Sequence, residues 1–514
     1  MHTILKYFRF SMQLNEIFLI SSIKKEQIGE NMEFVSIQFN ADEPIYLQLS
    51  QQIQMEIDRV KPPPGEKLPP IRKLALALGI NNGTVVRAYK DLERKGFVYA
   101  KKGSGYEIIR HTDAIEALRF SVNHKVVSNL KHQDINFASA TPDPKVFPVE
   151  TFKACLNHVL DRDQGYAFEY QEGGGYPPLR ESLCTYLKKE KGIDLNPSQI
   201  FVVSGAQQGL DLISKAYIHP EDIVLTEMPT YPGAAHVFAS RGAKVIGVSL
   251  EQDGIKISEL ENYVAIHRPK IFYLMSRYQN PTACCYTRQK LKQILKLAEK
   301  YHFFIVEDDS LSELVYDKKS QEETADLLYG HSQVITIKSF SKLLMPGLRI
   351  GFLIAPETEQ TLILQAKYVS DISSAGLLQR AVDIYFRSGQ FWSHLEMMRA
   401  NYFENYVTMK QALTIFKQKG ISFNDSRGGL FFWVHFPDTV PVYELQKRCA
   451  AQGVRFISGH RFYHPGSMKN GLVNAARFSF AAVQTQEIET GIAMVQNCVE
   501  EILEERRKES YQLP

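Results

Sequence analysis

The sequence has few cysteines, no long apolar run and no large excess of one charge sign. Its six cysteines are scattered along 514 residues without a Cys-x-x-Cys pair, so neither a disulfide framework nor a zinc site is expected. No apolar run approaches the length of a membrane span. Scattered cysteines are typical of a reducing compartment, so we expect a cytoplasmic protein that does not associate with a membrane.

The charge balance and the length indicate an ordinary globular protein with several domains. Lys and Arg number 60 and Asp and Glu 57, and the net charge of +3 does not itself require a polyanionic partner. A chain of 514 residues is too long for one hydrophobic core and should divide into two or three domains. The first 31 residues lack a signal-peptide cleavage site, and we expect translation to begin at Met32.

Residues 40–110 have the pattern of three helices followed by a two-stranded wing. Apolar residues recur every fourth position from Ile45 to Ile57, and a second helix ends at Gly79. After a turn that reaches Asn82, a third helix runs to about Lys95. Helix, glycine-containing turn and helix is the spacing of a helix-turn-helix. The segment contains twelve Lys and Arg against eight Asp and Glu, and its basic residues cluster where they can meet DNA phosphates. A solvated three-helix module for protein contacts also fits the periodicity.

This segment resembles the GntR family of bacterial winged-helix repressors. The resemblance rests on the runs LPPIRKLA at 68–75 and TVVRAY at 84–89 and on the Gly-Ser-Gly turn at 103–105. Many members have an arginine where this chain has Asn82; asparagine pairs well with adenine and arginine with guanine, so a different operator is expected. The resemblance implies that the residues contacting operator DNA are Arg72, Asn82, Gly83, Thr84, Arg87, Lys102 and Gly103.

The segment SFSKLLMPGLRIG at 339–351 follows an apolar, β-prone run and reads as a loop leaving a buried strand. A partly desolvated Lys342 would have a lowered pKa and could form a Schiff base with an aldehyde. Ser339 and Arg349 offer a hydroxyl and a guanidinium, which suit a phosphate. An aldehyde that carries a phosphate describes pyridoxal 5′-phosphate (PLP). A surface lysine in a basic loop is the alternative for an isolated Ser-x-x-Lys.

From Ile135 onward, strand-like runs alternate with helical stretches, which is typical of a layered α/β sheet. Polar residues follow several strand ends, where such folds bind ligands. The turn SGAQQG at 204–209 opens a helix whose free N–H groups can hold a phosphate, and Tyr231 could lie flat against an aromatic cofactor. Each signal alone also fits a common turn or a solvated acid. Their order and spacing relative to Lys342 favour one ligand site.

Across nearly all of residues 135–505 this pattern resembles the fold-type I aminotransferases. The resemblance implies an α/β main body with a mostly parallel sheet between helices and a small C-terminal α+β subdomain, preceded by the α+β winged helix-turn-helix domain. Lys342 matches the Schiff-base lysine, Asp308 the carboxylate that pairs with the pyridine nitrogen, and Asn280 the amide that hydrogen-bonds the phenolic oxygen. The other matches are the phosphate cup (Ala206, Gln207, Ser339, Arg349), the stacking Tyr231, Tyr170 that reaches the neighbouring subunit's phosphate, and Arg477 that holds a substrate carboxylate.

Two positions depart from the aminotransferase pattern. Family members often have a tyrosine two or three residues after the equivalent of Asp308, where this chain has Ser310 and Leu311. The usual glycine after Asn-Pro-Thr is Ala283. The missing phenol removes a hydrogen bond to the cofactor ring, so cofactor binding is expected but efficient transamination is not.

A GntR module fused to an aminotransferase-like body resembles the MocR subfamily of regulators. The resemblance implies a head-to-tail homodimer that holds PLP as an internal aldimine on Lys342 and responds to a small amine, an amino acid whose carboxylate binds Arg477, or PLP itself. An active aminotransferase with a vestigial DNA module and a cofactor-free DNA-binding protein are the alternatives. The predicted layout is an extension over 1–39, the winged domain over 40–110, a linker over 111–134, and the PLP-binding domain over 135–510 with a small subdomain over about 385–510.

Overall fold

The computed structural model describes residues 39, 43–60, 62, 66–95, 97–101, 105–108, 134–316, 327–463 and 474–511. The chain divides into two compact units, Met1–His132 and Gln133–Pro514. Met32, the wing-tip residues Lys102 and Gly103, and nearly all of the predicted extension and linker lie outside the described residues.

The N-terminal unit is a three-helix module with a β-ribbon. One face of α1 packs against α3 through buried Leu49, Ile53, Val85 and Leu92. The ribbon strands pair antiparallel, with Val98 opposite Ile108. The predicted winged helix-turn-helix fold is therefore confirmed. Its elements are α1 (Ile45–Val60), α2 (Ile71–Leu78), α3 (Asn82–Arg94), β1 (Val98–Lys101) and β2 (Gly105–Ile108).

The turn between α2 and α3 is set by two residues. Gly79 ends α2 with φ of +65°, a left-handed conformation that glycine adopts without strain. Asn81 caps α3, because its side-chain oxygen accepts a hydrogen bond of 2.7 Å from the N–H of Gly83. The sequence pattern placed Asn82 in the turn, whereas the structure makes it the first residue of α3.

The larger unit is built on an eight-stranded sheet with the order β4-β11-β10-β9-β8-β5-β6-β7. Strands β5, β6, β8, β9 and β10 run parallel, and β11 lies antiparallel between β10 and β4. The sheet is thus mostly parallel, as predicted. The strands are β3 (Ile135–Asn136), which lies outside this sheet, then β4 (Ile200–Val203), β5 (Ile223–Met228), β6 (Lys244–Glu251), β7 (Gly254–Ile255), β8 (Ile271–Leu274), β9 (Phe304–Asp308), β10 (Val334–Ser339) and β11 (Gly351–Ile354).

Helices connect these strands, and a second sheet follows them in the chain. The second sheet has the order β12-β13-β16-β15 with antiparallel neighbours, while β14 pairs in parallel with β3. Its strands are β12 (Ser422–Phe423), β13 (Phe431–His435), β14 (Val454–Arg455), β15 (Ile457–Ser458) and β16 (Ala475–Ser479). The helices are α4 (Val149–Asp163), α5 (Pro177–Lys191), α6 (Ala206–Tyr217), α7 (Pro232–Ser240), α8 (Ile257–His267), α9 (Arg288–Tyr301), α10 (Gln360–Asp371), α11 (Gly376–Arg387), α12 (Gln390–Thr414), α13 (Val442–Ala451) and α14 (Thr485–Tyr511).

The core explains why the site lies at one edge of the main sheet. Every residue of strands β4, β8, β10 and β11 is buried, as expected of strands covered by helices on both sides. The polar residues that follow these strands therefore collect where the strands end. None of the helices in the described ranges is long and apolar enough to cross a membrane.

Candidate functional site

A cavity of about 440 Å³ opens where the parallel strands of the main sheet end. Such an edge is where open α/β sheets bind ligands. The residues that line it come from the ends of both sheets and from the loops that follow them. Eight of the predicted cofactor and effector residues line the cavity together: Ala206, Gln207, Tyr231, Asn280, Ser339, Lys342, Arg349 and Arg477.

Lys342 lies three residues beyond the end of β10, in a turn that is held in place on both sides. The carbonyl of Leu343 lies 2.8 Å from His394 Nε2, and the Lys342 carbonyl accepts a hydrogen bond of 3.1 Å from the Tyr402 hydroxyl. Burial lowers the pKa of the Lys342 amine to about 8, and the nearby positive charge of Arg477 acts in the same direction. At pH 7 roughly a tenth of this amine is therefore unprotonated and nucleophilic.

Asp308 ends β9, does not line the cavity and is only 4% exposed. Its carboxylate accepts hydrogen bonds from the Ser310 hydroxyl and, at 3.1 Å, from the Tyr273 hydroxyl. Burial raises its pKa, and the two hydroxyl donors oppose that rise because they favour the charged form. The site thus offers a buried carboxylate that a cationic ring nitrogen would stabilise.

The predicted phosphate cup lies between β4 and α6. Gly205 has φ of +81°, and a Cβ there would lie 2.7 Å from Nη2 of Arg349, so glycine lets the guanidinium approach the backbone. Arg349 Nη2 donates to the Ser204 carbonyl at 2.7 Å. The helix α6 begins at Ala206, and the first N–H groups of a helix lack acceptors within it, which suits an anion.

Arg477 lies on β16, and its guanidinium is almost fully buried. Nη1 donates to the Asn280 side chain at 2.8 Å, and Nη2 donates to the Ala138 carbonyl at 2.7 Å. The Nε atom is buried without a hydrogen-bond partner in the described chain. Burial lowers the pKa of Arg477 to about 10. A buried guanidinium that contacts only neutral groups is well suited to receive a carboxylate.

Tyr170 does not join the other predicted residues. Its side chain is 80% exposed, and it does not line the cavity. The resemblance assigned it to the neighbouring subunit's phosphate, and a place on the surface agrees with contact to a second chain. This role stays a prediction.

A buried ion cluster lies next to Asp308 in the chain. Lys338 Nζ is 3.2 Å from Asp309 Oδ2 and 2.6 Å from Glu313 Oε1. Lys191 Nζ, 4.0 Å from Asp309, adds a second cation. Burial disfavours these charges, but for three of the groups the opposite charges prevail: the pKa of Lys338 is raised, and the pKa values of Asp309 and Glu313 are lowered. For Lys191 burial prevails and lowers the pKa. The cluster stabilises the segment that follows β9.

The DNA-contact residues predicted on the N-terminal unit are accessible where the structure describes them. Asn82 and Gly83 are exposed at the start of α3, Thr84 is half-buried, and Arg87 is exposed one turn further on. Arg72 is exposed on α2. The start of α3 is therefore accessible, as contact with operator DNA would require; the individual contacts stay a prediction.

Comparison with known proteins identifies both units. The family model for aminotransferase class I and II matches residues 134–495. The chain belongs to this family. The model for bacterial regulatory proteins of the gntR family matches residues 45–108. This pairing is the MocR-type architecture, so the protein is a GntR-type regulator with an aminotransferase-like domain, and its GntR domain binds DNA.

Individual relatives agree with this assignment. The HTH-type transcriptional regulator YcxD of Bacillus subtilis is 29% identical over 88% of this chain and 98% of its own length. The probable rhizopine catabolism regulatory protein MocR of Rhizobium meliloti is 25% identical over 87% and 96%. The crystal structure of LysN, an α-aminoadipate aminotransferase of Thermus thermophilus complexed with N-(5′-phosphopyridoxyl)-L-leucine, superposes with a TM-score of 0.64 at 27% identity, covering 77% of this chain and 99% of that one.

The residues of the aminotransferase-like domain fit PLP, and the predicted cofactor is confirmed for the family. Lys342 would hold its aldehyde, Asp308 its ring nitrogen, and Arg349 with the start of α6 its phosphate. The fit rests on donor chemistry: the described residues that line the cavity include an amine of lowered pKa and three arginines, and none of them is Asp or Glu. Tyr231, predicted to stack on the ring, lines the same cavity.

Three residues of the aminotransferase-like domain were missed by sequence reasoning. The Tyr273 hydroxyl donates a hydrogen bond to Asp308, but Tyr273 lies within an apolar strand, where a tyrosine is usually a core residue. Thr141 and Arg461 line the cavity from segments that carry no recognisable motif. The only signal for Tyr273 in the sequence was a polar hydroxyl on the strand next to the one that ends at Asp308. No sequence pattern indicated Thr141 or Arg461 as site residues.

Gly205→Ala is expected to weaken cofactor binding by at least ~10-fold. The new Cβ would collide with Arg349 and displace a charge-assisted contact to phosphate that contributes about 1.5–3 kcal/mol. Fluorescence titration of the cofactor-free protein with PLP measures the effect. Gly192→Ala is the control, because Gly192 has φ of +70° but nothing within 4 Å of an added Cβ. Equal affinity loss in both variants would show that backbone strain, and not the cup, is responsible.

Proposed function

We propose that this regulator senses an amine or amino-acid effector at Lys342, and that occupancy of the cavity changes the affinity of the GntR domain for double-stranded operator DNA. The observation that carries the proposal is the Lys342 amine, whose pKa is lowered to about 8 in a cavity that also contains the incompletely bonded Arg477. A protein that only binds DNA needs neither an amine of lowered pKa nor a buried guanidinium in the same cavity.

Lys342 and Arg477 would each deal with a different group of the effector. When bound, PLP supplies an aldehyde that links reversibly to an amine. The effector's amine would compete with Lys342 for that link, while its carboxylate would bind Arg477 in place of neutral partners. The effector can shift DNA affinity only by the difference in its own affinity for two protein states, typically about 1–3 kcal/mol. In a variant of this scheme PLP itself is the effector.

An active aminotransferase is the second candidate. The complete set of Lys342, Asp308 and Arg477 and the likeness to an aminotransferase structure favour it. Ser310 and Leu311 stand where a tyrosine is often found, and Ser310 donates its hydroxyl to Asp308. We therefore expect at most weak release of keto acid from amino donors. Release at rates typical of enzymes, about 1–10³ per second, would favour the aminotransferase.

We further propose that the protein is a homodimer in the cytoplasm, where operator DNA is located in bacteria. An exposed apolar patch supports the dimer: Tyr170 is 80% exposed, and Tyr368, Val369 and Ile372 near the end of α10 are 67%, 81% and 51% exposed. The N–H of Gln171 donates to the Ser373 hydroxyl at 3.2 Å, so the two segments form one surface. Apolar surfaces of this kind mark protein interfaces. A head-to-tail arrangement is expected from the resemblance, and mass measurement by light scattering tests the dimer.

Asn82→Arg is expected to change which base the operator must have. Asn82 is exposed at the start of α3, where arginine would favour guanine over adenine by about 1–3 kcal/mol. Selection from random duplexes by wild type and variant measures the preference. Gln52→Arg, at an exposed position of α1, is the matched control, because it adds the same charge outside α3. A guanine preference at the same position in wild type would contradict the assignment.

The proposal is tested by operator binding with a panel of amines. The full-length protein, with and without PLP, is titrated with its selected operator in the presence of amino acids, simple amines or no addition. We expect at least one amine to change the operator Kd by about 5-fold to 150-fold. If neither PLP nor any amine changes the Kd, the sensing function is wrong.

A further inference from the structure

Arg461 is a cation in the cavity for which the proposed function has no use. It lies in the 3-10 turn Gly459–Phe462, directly after β15, and lines the same cavity as Lys342 and Arg477. Within the second sheet, Ile457 of β15 is paired with Arg477 of β16. The segment that carries Arg461 therefore starts beside the effector arginine.

The backbone around Arg461 is hydrogen-bonded to another loop that lines the cavity. The N–H of Thr230 donates to the Phe462 carbonyl at 3.0 Å, which joins this turn to the loop that carries Tyr231. The Phe462 ring is 3% exposed and packs edge-on against Trp433, with ring centroids 5.8 Å apart. Arg461 is thus presented from an anchored turn, with only its long side chain free to adjust.

Arg461 is the cation of the cavity that no group assigned so far would meet. Four cations are among the described residues that line the cavity (Lys342, Arg349, Arg461 and Arg477), and Asp308, which does not line it, acts on Lys342 through its charge. A cofactor phosphate, with about two negative charges, would lie against Arg349, and one carboxylate would lie against Arg477. Arg461 is exposed and forms no hydrogen bond or ion pair with any residue in the described part of the chain. Its guanidinium is therefore available to a further anionic group on the ligand.

We propose that Arg461 determines effector specificity by binding a second anionic group at the far end of the effector. The ligand class is an amino acid with an acidic side chain, whose amine competes with Lys342 for the cofactor aldehyde, whose α-carboxylate binds Arg477 and whose side-chain carboxylate binds Arg461. This inference rests on the proposed function, because it assigns the chemistry of the ligand that the same cavity senses.

Matched ligand pairs test the inference on the full-length, cofactor-loaded protein. L-Glutamate is compared with L-glutamine, and L-2-aminoadipate with L-norleucine, by the change in absorbance of the bound cofactor as amino acid is added. We expect wild type to bind each acidic ligand at least ~10-fold more tightly than its neutral partner, because a charge-assisted pair contributes about that factor. Arg461→Gln should remove the preference and leave the neutral ligands unchanged. Lys447→Gln, at an exposed site on α13 that does not line the cavity, should retain it.

Two results would overturn the inference, and they differ from failure of the proposed function. Equal binding of acidic and neutral ligands by wild type would show that no second anion is recognised. A parallel loss for both ligand classes in Arg461→Gln would show a structural role only. If no amine of any kind changes the absorbance, sensing of an amine or amino acid is wrong and this inference falls with it.

Discussion

Replacing Lys342 with alanine is expected to abolish the response of DNA binding to amines. The variant lacks the amine for which the effector competes, so effector binding no longer exchanges one partner for another. The operator Kd, which should change about 5-fold to 150-fold with effector in wild type, should not change in the variant. Absorbance of the bound cofactor should also lose the band of the lysine-linked form.

Two controls separate this effect from a loss of charge or of folding. Lys342→Arg keeps a cation of similar length but cannot link to an aldehyde, and it should behave like the alanine variant. Lys447→Ala, at an exposed site of α13, should behave like wild type. An unchanged absorbance band in Lys342→Ala would show that another amine holds the cofactor.

The lowered pKa makes the same assignment testable with pH. With a pKa of about 8, roughly a tenth of the Lys342 amines are unprotonated at pH 7, against on the order of one in three thousand for an ordinary lysine at 10.5. The rate of PLP capture by cofactor-free protein should therefore rise ~10-fold per pH unit below pH 7 and about 5-fold between pH 7 and 8, and then level off. A rate that keeps rising to pH 10 would indicate an ordinary surface lysine.

Lys338→Met is expected to destabilise the aminotransferase-like domain by about 3–5 kcal/mol, because it leaves buried carboxylates without their main cation. Lys338 is 1% exposed and contacts both Glu313 and Asp309. Urea unfolding of wild type and variant measures the difference. Lys188→Met is the matched control, because Lys188 and its partner Asp194 are 65% and 79% exposed. Such exposed pairs contribute at most about 1 kcal/mol. Similar losses in both variants would contradict a special role for the buried cluster.

The pH dependence of the stability difference between wild type and Lys338→Met follows from the directions of the pKa shifts. The folded-state pKa of Glu313 is lowered, so its contribution is present above its unfolded pKa and is lost as pH falls through the folded value. The pKa of Lys338 is raised, so its contribution is present below its unfolded pKa and is lost as pH rises through the folded value. The gap between wild type and Lys338→Met should therefore be widest near neutral pH and shrink in acid.

Sequence reasoning located much of this site because its residues follow strand ends in a fixed order. Lys342, Arg349 and Asn280 could be placed in one site because strands of a parallel sheet bring their ends to one edge. Tyr273 could not, since a tyrosine inside an apolar strand is usually core and only the packing of β8 against β9 brings its hydroxyl to Asp308. Arg461 depends on β15 pairing with β16, a contact between segments whose register the sequence does not reveal.

In the winged domain, too, some features could be predicted from the sequence and others could not. The helices and the wing could be predicted from apolar spacing and from the glycine turn. The one-residue difference at Asn82 arises because Asn81 uses its side chain to cap α3, and several nearby polar residues could have served as that cap.

The central claim is that the occupancy of Lys342 and the binding of operator DNA are coupled. Coupling is reciprocal, so the most direct measurement is the effector Kd of the full-length, cofactor-loaded protein with and without saturating operator. The account predicts that operator changes the effector Kd by the same factor, about 5-fold to 150-fold, by which effector changes the operator Kd. An effector Kd that is identical with and without operator would contradict it.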